Sequence, residues 1–418
     1  MGRIRSTHLP WLIHIPDRMS PPSILFLNRV YPPASGATGT GVARIARSFV
    51  SAGWSVTVVS TAGAGKAGVA FEDGVKVVRL SGLFSGRSLL LRALTYVVTI
   101  PQIFVRALCE PSPDIIVTMT DPPMLFAIGP LLRVIKGSRI IHWAQDLYPD
   151  VAVRAGVLSE KGVLARIFAF LSRRALMAHD RVVVVGRCMG RMVSARGVAP
   201  GSLSLIPNTW SGLGITSLDR EESLLPDLGL LDRFTVMYSG NFGRVHEFGT
   251  ILSAAKLLQE SGRHEVVFLL SGDGPNSALL RGEVARMELS NVRFLPRCDD
   301  DQLSRTLASG DLHLVTMLTG MGGVVVPSKY YGVMAAGRPC IFVGPKDTEI
   351  ALALHDLGNG LCVAPGDSQA LVEAILKIRG EAGWSDRARH LAEGFLASEC
   401  SGREFVRLAT ELISGMPR

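Results

Sequence analysis

Short apolar runs recur along the chain, and between most neighbours there is room for one helix. SILFLN (23–28), WSVTVVS (54–60), VKVVRL (75–80), DIIVTMT (114–120), RIIHWAQD (139–146) and RVVVVG (181–186) read as strands. Each is rich in Val, Ile and Thr and bounded by turn-forming residues. Between them, apolar positions at helical spacing mark segments near 41–52, 87–108 and 162–178. Strands alternating with helices predict a parallel sheet, because a parallel partner is reached only through a crossover. After SLSLIPN (202–208) and a turn-rich stretch, 209–233, the rhythm restarts. FTVMYSG (234–240), EVVFLLSG (265–272), NVRFLP (291–296), LHLVTML (312–318) and PCIFVG (339–344) are the strands of this second half. The pattern predicts an α/β chain with two doubly wound domains facing a cleft. The expected parts are an N-terminal tail (1–22), a first domain (23–205), a second domain (206–384) and a helical segment (385–418).

Composition agrees with packed cores. Hydrophobic residues make up 47% of the 418 and charged residues 19%, which argues against long disorder. Arg92, Pro101, Gln102 and Arg106 interrupt the longest apolar stretch, Leu89 to Leu108. A spanning helix needs ~20 mostly apolar residues, so this stretch reads as a peripheral or core helix. The six cysteines stand singly, with no C-x-x-C and no zinc spacing, and no metal site is expected. The opening residues lack a secretory pattern. These features point to a cytoplasmic protein with reduced thiols, and residues 1–18 are expected to be dispensable.

Charge divides the chain. Residues 1–200 carry 24 Lys and Arg against 10 Asp and Glu, a formal +14; the remainder carries 20 against 26, or −6. A basic half attracts phosphorylated ligands or anionic lipid. Nucleic acid is not expected as a partner. The 87–108 helix, with Arg87, Arg92 and Arg106, is the expected contact with the inner face of a membrane.

Ligands of such sheets bind at the carboxyl ends of strands, so the strand-to-helix loops carry the candidate chemistry. The first, GATGTGVARIA, offers Gly36, Gly39 and Gly41 ahead of a helix. It is either an anion cradle or a flexible turn. Its spacing is not the dinucleotide G-x-G-x-x-G, and Ser60 and Thr61 stand where an acidic residue would hold a ribose, so NAD loses support. SGNFGRVHEF (239–248) supplies Gly240, Asn241 and Arg244. SGDGP supplies Gly272 and Gly274, bordering a nucleobase or simply turning the chain. GMGGVVVPSKYYGVMAAGRP (320–339) supplies Pro327, Ser328 and Lys329 at a helix start. Arg244, Lys329 and backbone N–H groups suit a diphosphate held without metal. HWAQDLYPD places His142, Gln145 and Asp146 at a strand end; His142 is either part of the site or a buried structural histidine.

These motifs together resemble glycosyltransferase family 4, with the GT-B fold of two Rossmann-like domains. YSGNFGR, SGDGP, NVRFLP and VVVPSKYYGVMAAGRPCIFVGP carry the likeness, and TDPP followed by HWAQDLYPD resembles the branch that builds colanic-acid-type and O-antigen polysaccharides. It covers about residues 23–400. The resemblance implies a retaining, metal-independent transfer from a nucleotide-diphosphate sugar to a glycan or lipid-linked acceptor, with no cofactor. It implies donor contacts from Gly240, Asn241, Gly272, Gly274, Arg297, Pro327, Ser328 and Glu349. Catalytic roles fall to Arg244, Lys329, His142 and Asp146, with Gly36, Gly39 and Gly41 facing the cleft. Val324 and Gly332 stand where many relatives carry glutamates. An epimerase or hydrolase of the same fold, or a non-catalytic glycan-binding module, are the competing readings.

Overall fold

The computed structural model of the chain describes residues 20–415 except 35, 64, 83–88 and 399. The expectations for residues 1–18 and for Arg87 lie outside the described residues, as does the side chain of Arg92.

Eight strands form the first sheet: β1 (Ser23–Leu27), β2 (Ser55–Thr61), β3 (Gly68–Glu72), β4 (Val75–Leu80), β5 (Ile115–Thr118), β6 (Arg139–Ala144), β7 (Arg181–Val184) and β8 (Leu203–Leu205). Their order is β3-β4-β2-β1-β5-β6-β7-β8. β4, β2, β1, β5 and β6 are parallel neighbours, with Ile24 beside both Val56 and Ile115. β3 and β4 form an antiparallel pair. The crossovers are helical: α1 (Ala37–Ser51), α2 (Leu89–Cys109) and α3 (Gly129–Lys136), then α4 (Asp150–Arg154), α5 (Val163–Ala178) and α6 (Arg187–Ala195). Leu25, Leu27 and Ile116 pack with Ile103 of α2 and Leu132 of α3, all essentially inaccessible. Burying each such side chain contributes roughly 1.5–3 kcal/mol, which fixes the helices on the sheet.

The second sheet has β9 (Phe234–Ser239), β10 (Val266–Ser271), β11 (Val292–Leu295), β12 (Leu312–Thr316), β13 (Cys340–Val343) and β14 (Gly360–Val363). All are parallel, in the order β11-β10-β9-β12-β13-β14. The chain winds outward from β9 in one direction, returns, and winds outward from β12 in the other. A crevice opens at such a reversal, because the loops leaving the two strands diverge to opposite faces.

The chain forms two compact units that are not contiguous in sequence. The first holds the described residues up to Trp143, Arg174–Val183 and the residues from Ser401 on; the second holds Ala144–Arg173 and Val184–Cys400. Three of these boundaries fall inside the stretch 23–205 that the pattern reads as one domain. The last helix, Cys400–Ser414, counts with the first unit, where Phe405 packs against Phe49 and Trp143 at ring separations of 6.1 and 5.1 Å. Among the described residues, no helix is long and apolar enough to cross a membrane.

Candidate active site

The reversal point of the second sheet collects the most unusual side chains of the second unit. β9 ends in Tyr238 and Ser239, and its loop runs on through Gly240 to Phe248. The β12 loop runs from Met317 to Ser328, after which a short helix, Lys329–Ala335, begins. The two loops are joined directly: Leu318 N donates to Val245 O at 2.9 Å. His246 Nδ1 lies 2.9 Å from Thr316 O, and since a carbonyl only accepts, Nδ1 carries the proton.

Lys329 reaches back from its helix to β9. Its Nζ lies 3.7 Å from the centre of the Tyr238 ring and donates to the Tyr238 hydroxyl, which in turn donates to Asn241 O at 2.8 Å. The ring face attracts the cation. Gly240, at φ 137°, leaves room for it, since a methyl group there would stand 3.1 Å from Nζ. Among the described residues no carboxylate pairs with Lys329, and burial pushes its ammonium down to about 7. Burial, and then the neighbouring Lys329 cation, pushes His246 down to about 3, so it is neutral. The Thr316 hydroxyl is buried, with no hydrogen-bond partner among the described residues. The result is a half-buried cation at a strand reversal, with no carboxylate partner among the described residues, the arrangement expected of an anion site. Tyr238 and Thr316 sit inside apolar runs that read as core, and His246 lies in the 239–248 loop, where no sequence spacing announces its contact with Thr316 O.

The other expected residues fall into three groups. Arg244 stands on the β9 loop two positions before His246, exposed and without a hydrogen-bond partner among the described residues. Asn241 is exposed on the same loop; Pro327 and Ser328 are half-buried just before Lys329. Gly272 and Gly274 serve the β9 loop itself. A methyl group at Gly272 would sit 2.0 Å from Gly240 O, and one at Gly274 would sit 2.3 Å from Asn241 Oδ1. Phe242 N donates to Asp273 O at 2.9 Å, so the glycines let two loops abut. Asp146 is brought to the second unit's loop, paired in a bridge with Val325 while Leu147 N donates to Val324 O.

Several expectations need correction. Glu349 begins the helix Glu349–Leu357, but its carboxylate is occupied: Arg187 N donates to it at 2.5 Å and Arg187 Nε at 3.2 Å. Arg297 is exposed beyond β11, the outer strand of the sheet, two strands away from β9. His142 is 1% exposed in the core of the first unit, its ring 4.4 Å from that of Phe126 and its Nδ1 3.0 Å from Thr118 O. Burial, and then His179, pushes it down to about 3. It is therefore a neutral core histidine, the second of the two readings the sequence left open. The Gly36–Gly41 segment is not a free loop either. Gly36 caps α1, and Gly39 and Gly41 lie inside its first turns. A methyl group at Gly39 would stand 2.8 Å from Val30 O, so the glycine is needed for helix-to-loop packing. Val324 is fully buried, and a side chain at Gly332 would meet Ile215, so neither position offers a carboxylate or room for one in open solvent.

Two parallel doubly wound α/β sheets, one with an anion-suited reversal point, define the GT-B architecture. The solved structure of sucrose-phosphate synthase from Thermosynechococcus elongatus superposes with a TM-score of 0.73 at 19% identity, covering 94% of this chain and 100% of that one. Residues 36–209 match the model of a glycosyl transferase 4-like domain, and residues 233–380 that of the glycosyl transferases group 1. WbjE of Pseudomonas aeruginosa, named as a glycosyltransferase, is 30% identical over 272 residues, 63% of this chain and 66% of that protein. WcaI of Escherichia coli (strain K12), named as a colanic acid biosynthesis glycosyl transferase, is 28% identical over 307 residues, 71% of this chain and 73% of that protein. The chain belongs to the glycosyltransferase family of these two domains.

Proposed function

We propose that the protein transfers a sugar, with retention and without a metal ion, from a nucleotide-diphosphate donor to a glycan or lipid-linked acceptor in the building of a cell-surface polysaccharide. The observation that carries this reading is Lys329, held against the Tyr238 ring at the strand reversal of the second unit without a carboxylate partner among the described residues. A cation left without a counter-ion in a half-buried site is matched by a ligand that brings the negative charge. Breaking the bond between the sugar C1 and its phosphate oxygen builds charge on the leaving diphosphate. Lys329 stabilises that charge more as it grows, which lowers the barrier. Arg244, without a partner among the described residues, adds a second cation from the β9 loop. The acceptor hydroxyl attacks C1 and passes its proton to the leaving phosphate oxygen, so no protein base is required. Asp146, beside the 320–328 loop, is suited to holding a sugar hydroxyl. The likeness to WcaI supports a polysaccharide acceptor, and the basic first 200 residues support work at the inner face of a membrane.

Radiolabelled nucleotide sugars, supplied with and without membrane extract, test the reading through the products. Transfer to an acceptor supports it. Free sugar or an epimer formed without acceptor would move the protein to the hydrolase or epimerase class. Replacing Lys329 by Ala removes one charge-assisted contact of roughly 1.5–3 kcal/mol. By rate arithmetic kcat/KM then falls about ten- to a hundredfold. Arg244→Ala should act in the same direction, and the double variant should lose less than the product of the two because both cations serve one charge.

A further inference from the structure

A helix on the surface of a water-soluble protein turns its apolar stripe inward. α5 does the reverse. Its buried positions include Ala165, Ser172, Ala175 and Leu176. Its outward stripe is Val163, Leu164, Ile167, Phe170 and Leu171, all in the second unit. Val163 is 70% and Phe170 64% exposed. Positions 163, 167, 170/171 and 174 follow the 3.6-residue period, so these side chains form one continuous strip rather than scattered exposures. Contiguous exposed apolar surface of this kind marks a docking face.

The charges beside the strip select what docks. Residues 161–178 contain Lys161, Arg166, Arg173 and Arg174 and no Asp or Glu. Arg166 and Arg174 have no side-chain partner among the described residues. A second copy of this chain would bring the same cations to the same strip, and like charges would face one another. An anionic lipid surface supplies what the strip lacks: negative headgroups for the arginines and an acyl boundary for the apolar side chains. α2, the element the sequence favoured, is less suited among its described residues. Ile103 and Ala107 are buried, and Arg106 is already paired with the buried carboxylate of Glu110.

We infer that α5 lies on an anionic membrane surface through the Val163–Leu171 strip, with its basic side chains at headgroup level. This deepens the proposed function by giving the acceptor-side membrane a specific contact, but the binding is measured without turnover. The experiment is co-sedimentation of the full chain with phosphatidylcholine vesicles, with and without phosphatidylglycerol. The wild-type protein should bind the anionic vesicles and release at high salt. Ile167→Ser with Phe170→Ser should lower that binding at least about tenfold, the value of two apolar side chains leaving the interface. Arg166→Gln with Arg174→Gln should remove the preference for anionic vesicles, at about fivefold per charge. Val97→Ser, on an exposed position of α2, should change little. Phe170→Trp should show an emission blue-shift with anionic vesicles and none in buffer alone.

Three results would overturn the inference: no vesicle binding by the wild type, equal binding by the α5 variants, or loss confined to Val97→Ser. A dimer in sedimentation that the Ile167/Phe170 variant abolishes would make the occupant a second copy instead. Melting temperatures should match the wild type, since every substitution is on the surface. Turnover on a detergent-soluble acceptor separates the two readings. Intact turnover with α5 variants that still bind vesicles sinks the membrane contact alone. Normal α5-dependent binding with no nucleotide-sugar turnover sinks the transferase reading alone.

Discussion

Lys329 sits where its charge depends on what is bound beside it. In the free protein burial holds its ammonium near pH 7. A diphosphate next to it favours the protonated form and raises that value, so binding takes up a proton. Donor affinity should therefore be full below about pH 7. It should weaken as pH rises through that value, by up to about tenfold per unit until the raised value is reached. Lys329→Met should abolish the slope. Calorimetric titration of a nucleoside diphosphate between about pH 6 and pH 9, in two buffers of different ionisation heat, measures both the affinity and the proton uptake. A flat affinity with no proton uptake would separate the diphosphate from Lys329. At this scale the sequence was legible where chemistry and backbone signal coincide, as in PSK before a helix. It was not legible for His142, because a polar residue closing a strand can turn to solvent or into a neighbouring helix. Phe126 and His179, which close over His142, come from other parts of the chain.

At the scale of elements, the apolar runs located the central strands within one or two residues. β4 falls on 75–80 as read, and β9 on 234–239 against an expected 234–240. The three strands that the sequence reading does not name, β3, β8 and β14, are all sheet edges. An edge strand pairs on one side only and is half wet. GVAFE and GLCV therefore lack a buried run long enough to stand out. The first glycine segment reads as a loop for a different reason: glycine weakens helix propensity by about 1 kcal/mol, and it is the close approach of Val30 that explains Gly39 in the first turn of α1. The same distinction gives a prediction. Gly272→Ala forces a methyl group onto a backbone oxygen at a φ of 144°, which no side-chain movement relieves. It should cost about 1–3 kcal/mol and weaken donor binding by displacing the β9 loop. Gly282→Ala, inside the helix Ser277–Arg286 with nothing near it, should instead stabilise by about 0.5–1 kcal/mol. Thermal melts with nucleotide titration distinguish the two sites, and equal effects would mean that the loop contact carries nothing.

At the scale of the molecule, periodicity predicts that a helix exists but not which sheet receives it. The segment from 385 on read as helical, and two helices are found there, Gly383–Ser398 and Cys400–Ser414. The assignment of the second to the first unit rests on Phe405, fully buried against Phe49 and Trp143, and no sequence spacing announces that contact. Phe405→Ala should cost about 3–5 kcal/mol, the usual range for a large aromatic lost from a core. A protein ending before residue 400 should melt at lower temperature and bind a hydrophobic dye. An unchanged melt in either would show that the helix is not part of the first unit's core.

The returning helix also sets a timetable. A ribosome delivers the first unit's sheet early, yet the aromatic side chain that completes its core, Phe405, is synthesised only after the second unit. Phe49 and Trp143 lack their cover while the whole second unit emerges and can close first. Newborn chains therefore carry an unfinished first unit until the second has been made, and products of ribosomes stalled before Phe405 are the ones that quality-control proteases should find most readily.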